Sequence, residues 1–215
     1  MKAEKEGLKI VNQMAAEIAT NLKLAGRVQK HTETQCYVTF KDHKNDLMDK
    51  KPYRLINPAK TDLGKISKIV MEKLCRELRD KTSLTQWKSM PDVIKWFKNI
   101  SRKMSFKFFK FDIVSFYPSI KPGHLNNALK FAQSLCFISQ DDINIVLQSR
   151  QTFLFYNNEP WIKKDSTNGK FDVPMGSWDG AEICEVVGLY LLHRLTNGTK
   201  KPLKSKLWVS IETTG

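Results

Sequence analysis

Cysteine is scarce in this chain, acidic residues are outnumbered by basic ones, and long apolar runs are missing. The four cysteines, Cys36, Cys75, Cys136 and Cys184, lie far apart. That spacing fits neither a disulfide framework nor a Cys-x-x-Cys zinc site, and leaves reduced, intracellular core residues as the expectation. The longest apolar run, Ile183 to Leu192, is broken by Glu185, and Met1 to Glu6 is charged with both signs. Neither a secretory segment nor a membrane span is expected, so the chain is placed inside the cell, in nucleus or cytoplasm. With 8 prolines among 215 residues, it also lacks the composition of a disordered tail. No internal repeat and no long linker is visible.

What is present is enough apolar material for a core: 41% hydrophobic and 10% aromatic residues, in a length that suits one or two domains. Lys and Arg number 36 against 22 Asp and Glu, a formal net charge of +14. Most of that excess is lysine spread along the chain. It points to a polyanion, nucleic acid before membrane, although a merely solvated basic surface has the same composition.

Val11, Met14, Ala15, Ile18 and Leu22 recur at helical spacing, which predicts a helix over roughly 4–24, closed by Gly26. Gln35 to Phe40 and Tyr53 to Ile56 are predicted strands joined by a basic loop. Ile66, Ile69, Val70, Leu74 and Leu78 restore the helical period, and Ser89-Met90-Pro91-Asp92 signals the start of a third helix. Ser105 to Val114, dense in phenylalanine, is the strongest strand candidate. Further helices are expected from His124 to Ala132, from the Ser139-Gln140-Asp141-Asp142 cap to about Arg150, and from near Gly180. Phe153 to Ile162 has the pattern of a hairpin turning at Asn157-Asn158, two residues tolerant of positive φ.

Three segments carry residue types suited to chemistry. In Phe111-Asp112-Ile113-Val114-Ser115-Phe116-Tyr117, an aspartate ending an apolar strand could hold a hard cation such as Mg²⁺, or simply cap the turn before Pro118. Lys41, Lys44 and Arg54 lie on two predicted strands and their loop; three such cations can clamp a triphosphate, Arg54 by bidentate contact and the lysines as point charges, but they also suit a solvated loop. Val173-Pro174-Met175-Gly176-Ser177-Trp178-Asp179-Gly180 runs straight into a helix. Its glycines permit close backbone approach and the helix start offers free N–H donors, as would any tight loop before a core helix.

In this order, Lys-Asp-His-Lys with Tyr-Arg-Leu-Ile-Asn-Pro, then Phe-Asp-x-x-x-x-Tyr, then Val-Pro-Met-Gly-Ser, the three segments resemble the fingers motifs, motif A and motif B of reverse transcriptases carried by mobile genetic elements. Pro-Met-Gly-Ser and the wide gap before Gly176 resemble the Penelope-like and group II intron-like branches more than the retroviral one. The resemblance spans roughly residues 31–196. It implies an α+β fold, the fingers and first part of the palm of a right-hand polymerase, with helices packed on a small antiparallel sheet. The implied layout is an N-terminal helix (1–30), a fingers-like region (31–105), a partial palm with a fingers insertion (106–196) and a divergent basic tail (197–215).

By the same resemblance, Asp112 is the first catalytic metal ligand and Tyr117 the aromatic gate that separates deoxynucleotides from ribonucleotides. Arg54, with Lys41 or Lys44, holds the incoming triphosphate, and Gly176 and Ser177 line the nascent base pair. The implied partners are an RNA/DNA template–primer and deoxynucleoside triphosphates, and the implied cofactor is Mg²⁺. Asp112-x-x-Ser115-x-Tyr117-Pro118-Ser119 is also similar to motif A of family B DNA polymerases. Those place their basic triphosphate-binding helix after the aspartate, whereas here the basic residues precede it.

The sequence departs from the family where a Tyr-x-Asp-Asp hairpin should follow motif B. Its single Asp-Asp pair, Asp141-Asp142, lies before motif B within a capping signal and is expected at a helix start. Two-metal chemistry needs carboxylates that hold both ions about 3.5–4 Å apart. The expectation is therefore a truncated domain that does not polymerise alone. The alternatives are a nucleic-acid-binding remnant without catalysis and a fragment that only pairs with other copies of its element's protein.

Overall fold

The computed structural model describes residues 5–24, 35–40, 53–58, 61–82, 84, 89–105, 113, 115–161 and 173–198. Lys41, Lys44, Asp112, Gly26, Ile162, nearly all of the predicted strand from Ser105 to Val114 and the tail from 199 onward lie outside them. Among the described residues the chain is α+β, with seven α-helices and two small antiparallel sheets.

Helix α1 (Lys5–Asn21) is followed by a hairpin of β1 (Tyr37–Phe40) and β2 (Tyr53–Ile56), in which Thr39 faces Arg54. Helix α2 (Asp62–Thr82) starts where the Thr61 hydroxyl accepts from the Gly64 amide at 3.0 Å, a side-chain cap for an otherwise unpaired donor. Helix α3 (Met90–Asn99) begins at the expected Ser89-Met90-Pro91-Asp92, with Pro91 in the first turn, where its missing N–H costs nothing. Its Ser89 hydroxyl does not cap a backbone amide but donates to the Asp92 carboxylate at 2.7 Å.

A short 3₁₀ turn at Lys103–Ser105 stands where the phenylalanine-rich strand was expected to begin. One-turn α4 (Phe116–Ser119), α5 (Pro122–Leu135) and α6 (Gln140–Gln148) follow, then the hairpin of β3 (Leu154–Tyr156) and β4 (Glu159–Trp161), and finally α7 (Gly180–Gly198). Asn157 and Asn158 form the hairpin turn with φ of 51° and 59°, as their residue type predicted. Asp142 sits in a reciprocal cap with Ser139: its amide donates to the Ser139 hydroxyl at 3.1 Å, and its carboxylate accepts from the Ser139 amide at 3.3 Å. The Asp141-Asp142 pair therefore opens a helix.

The main core is helix on helix. Met71, Leu74, Cys75 and Leu78 of α2 meet Leu125, Leu129 and Ala132 of α5, Ile143 and Val146 of α6, and Ile183, Cys184, Val187 and Leu189 of α7. An ion pair between Arg79 and Glu185 at 2.7 Å joins α2 to α7 beside it. Among the described residues no strand residue belongs to this core; the two described hairpins have strands of only three or four residues. A smaller cluster, Val11 with Phe153 and Phe155, seats α1 on β3.

Two further expectations are corrected. Ile69, counted in the apolar stripe of α2, is 68% exposed, while Leu63, Gly64 and Ser67 are buried; the buried face of α2 is displaced because α7 and its preceding loop pack over the helix's first turns. Cys75, Cys136 and Cys184 are buried free thiols, but Cys36 is only half-buried beside the edge of β1.

Candidate functional site

The loop 173–179 before α7 is where segments far apart in sequence meet. Its Met175 forms a parallel bridge to Ile56 at the end of β2, and the Asn57 amide donates to the Met175 carbonyl at 2.9 Å. Asn57 is itself buried, and its side-chain amide donates to the Phe153 carbonyl at 3.0 Å. One residue thus ties β2, the start of the second hairpin and the loop together.

Gly176 turns the loop with φ of +103°, a conformation that L side chains rarely adopt. A Cβ there would stand 3.0 Å from the Asn57 carbonyl oxygen and 3.1 Å from Ile56 Cγ2. Gly176→Ala is expected to cost about 1–3 kcal/mol from backbone strain and to break the Met175 bridge. Urea unfolding, with the Asn57 amide followed by hydrogen exchange, would measure both; an unchanged Asn57 amide would contradict it. Ser177 closes the turn, its amide and hydroxyl both donating to the Pro174 carbonyl, at 3.3 and 3.1 Å.

Tyr117 approaches from the opposite side. Ser115, at φ 52°, turns the chain into α4 and leaves the Tyr117 ring half-buried against the start of α7. A Cβ on Gly180 would lie 3.4 Å from Tyr117 Cε1 and 2.7 Å from the Ser177 hydroxyl, so only a glycine lets the ring, the loop and the helix start share this space. Burial pushes the phenol up to about 12, with Cys184 and Glu182 adding to the shift. Burial also pushes the Cys184 thiol up to about 12 and raises the Glu182 carboxyl above its ordinary range. Tyr117 is therefore uncharged at neutral pH.

Of the residues singled out in sequence, the fold brings Gly176, Ser177 and Tyr117 into one locality. Arg54 lies two residues before Ile56 on β2, about 7 Å along a strand. Its Nε is buried without a hydrogen-bond partner. Lys41, Lys44 and Asp112 lie outside the described residues.

Sequence reasoning missed the group beneath the loop. Asp179, fully buried, directly precedes α7 and its carbonyl accepts from the Ile183 amide at 2.9 Å. Its carboxylate accepts from the Ser67 hydroxyl of α2 and lies 3.2 Å from the Ser149 hydroxyl at the end of α6. It also pairs with the Arg150 guanidinium. Arg150 is 1% exposed, and its Nε and Nη2 reach the Ser149 oxygen at 3.3 and 3.2 Å. The aspartate-before-helix signal was there to be seen. Nothing in the spacing linked it to an arginine 29 residues earlier or a serine 112 residues earlier.

The described residues do not supply a magnesium site. No group of three or more His, Cys, Asp or Glu among them is arranged to hold a metal. The one fully buried carboxylate beside the loop, Asp179, is already engaged by two hydroxyls and a guanidinium. Also among the described residues, no helix is long and apolar enough to cross a membrane. Comparison with protein-family models, with curated protein sequences and with solved structures finds no match.

Proposed function

We propose that this chain is a reverse transcriptase-like domain that binds an RNA/DNA template–primer and a deoxynucleoside triphosphate, and that these 215 residues alone do not extend a primer. The observation that carries the reading is the meeting of three sequence-distant segments at the start of α7. There β2, bearing Arg54, pairs with the loop bearing Gly176 and Ser177, and Tyr117 closes the other side. A half-buried arginine, a loop turned at a glycine and an uncharged aromatic ring suit the phosphates, the base pair and the sugar of a nucleotide, respectively. The +14 charge suits the nucleic acid.

Lack of catalysis in isolation follows from the carboxylates. Asp112 is the one acid in the motif A position, and after Gly198 the sequence offers only Glu212. Two-metal transfer needs more ligands than that. The same deficit favours the second reading, nucleic-acid binding without a nucleotide, and the two differ in one property: a complementary deoxynucleotide stabilises the template–primer complex only in the first.

Filter binding of a labelled RNA/DNA hybrid at 50 and 200 mM salt should show affinity falling by at least about tenfold, and further binding energy on adding the matched deoxynucleotide. Arg54→Ala is expected to remove that nucleotide-dependent gain while leaving the salt-dependent binding largely in place. Binding that is absent or insensitive to salt would sink both readings. Primer extension with Mg²⁺ or Mn²⁺ that disappears in Asp112→Ala would overturn the claim that the chain is inactive alone.

A further inference from the structure

We infer that Arg150 and Asp179 are positioning residues for the loop 173–178: their buried pair, held from α2 and α6, locks the end of the loop where α7 begins. The loop is pinned at two places. At its start, Met175 is held by the Asn57 amide at 2.9 Å, and at its end the next residue after Trp178 is Asp179. Between these anchors Gly176 sits at φ +103°, and the Ser177 amide and hydroxyl both donate to the Pro174 carbonyl within the loop itself. The Ser177 bonds therefore close the turn and the Met175 anchor sets it against β2, but neither fixes where the end of the loop stands against Tyr117.

That placement comes from outside. Ser67 on α2 and Ser149 and Arg150 after α6 converge on a single carboxylate. Trp178 packs over Gly64 of α2, where an added Cβ would lie 3.5 Å from its ring, and Lys65 stands 5.5 Å above the same ring. A capping side chain at a helix start accepts from one of the free backbone amides there and needs no further partner to do so. A fully buried carboxylate bound to an arginine and two serines from other elements is far more than a cap requires, and a buried ion pair is weak as a source of stability. What it supplies is a defined direction: carboxylate and guanidinium admit few relative geometries. Arg150 and Asp179, at 1% and 0% exposure, are sealed beneath the loop and act through Gly176, Ser177 and Trp178.

The decisive readout is amide exchange in the full chain at Asn57 and Ser177, the two amides whose hydrogen bonds report the loop's anchors, with Leu129 in the core as reference. The main variant is the double Arg150→Met/Asp179→Leu, which removes both charges and so avoids leaving one buried alone. We expect exchange at Asn57 and Ser177 to rise about tenfold or more relative to Leu129 in this variant. In Leu129→Ala, a destabilised control with the pair intact, the ratio of Ser177 to Asn57 exchange should stay as in the wild type. Unchanged Asn57 and Ser177 exchange in the folded double variant would overturn the inference.

The second arm rests on the proposed function: affinity of the folded double variant for the RNA/DNA hybrid plus matched deoxynucleotide should fall about tenfold, with nucleotide-independent binding less affected. If the wild type binds no nucleotide, the proposed function fails, while loop exchange still decides the positioning role. If the wild type binds and the double variant binds equally well, the positioning role is rejected and the proposed function stands.

Discussion

Replacing Arg150 with methionine is expected to lower the unfolding free energy by about 3–5 kcal/mol, and replacing Asp179 with leucine by a similar amount. Each single change strands a partner where water cannot reach it. Without Arg150, the fully buried Asp179 carboxylate keeps only the Ser67 and Ser149 hydroxyls. Without Asp179, a 1% exposed guanidinium loses its counter-charge, and its Nη1 already lacks a partner.

The double variant should recover most of the loss, because a matched pair of apolar side chains removes the desolvation penalty of both ions together with their attraction. Denaturant titration of the four proteins forms a double-mutant cycle whose coupling term should be several kcal/mol. Domains of this kind have total stabilities of about 5–15 kcal/mol, so either single variant should sit close to the unfolding threshold at 37 °C. Single variants within about 1 kcal/mol of the wild type would show that the pair is solvated in solution and that the network does not exist as described.

The second large effect separates two residues that the helical period treats alike. Leu74→Ala is expected to cost about 2–5 kcal/mol, the range for removing a buried leucine side chain and leaving a cavity. Ile69→Ala, five residues earlier on the same helix, should change stability by no more than about 0.5 kcal/mol. Leu74 is 3% exposed in the core between α2 and α7, whereas Ile69 is 68% exposed. Thermal unfolding at matched pH would rank them at once, and equal losses would mean that Ile69 is covered in solution by something beyond the described residues.

Local structure was largely legible before any coordinates. Helices α1, α2, α5, α6 and α7, the Asn157-Asn158 hairpin and the Ser139 cap follow from periodicity, turn chemistry and capping residues, all of which act within a few positions of the chain. The placement of Asp141-Asp142 at a helix start was legible for the same reason, and it removes the one acidic pair that imitated a catalytic cluster.

Of the candidate site, the sequence marked Gly176, Ser177, Tyr117 and Arg54 by residue type, and it identified the loop before α7 as a place where backbone could approach a ligand. It did not mark Asn57, Ser67, Ser149, Arg150, Asp179 or Cys184. These six act through partners that fold together from remote positions: Ser67 and Asp179 are separated by 112 residues, Asn57 and Phe153 by 96. A polar residue signals its own capacity to bond but not the identity of the group it will meet.

The sequence by itself determined which segments are helices and turns, the basic charge and the order of motifs that resembles a reverse transcriptase. Those are properties of short windows and of composition. Only the tertiary structure decided which helix faces meet in the described core, that Ile69 faces outward, and that the loop at Gly176 packs against Asn57 with a buried ion pair at its end. Each of those outcomes depends on excluded volume and desolvation among elements far apart in the chain, and neither quantity exists until the elements pack.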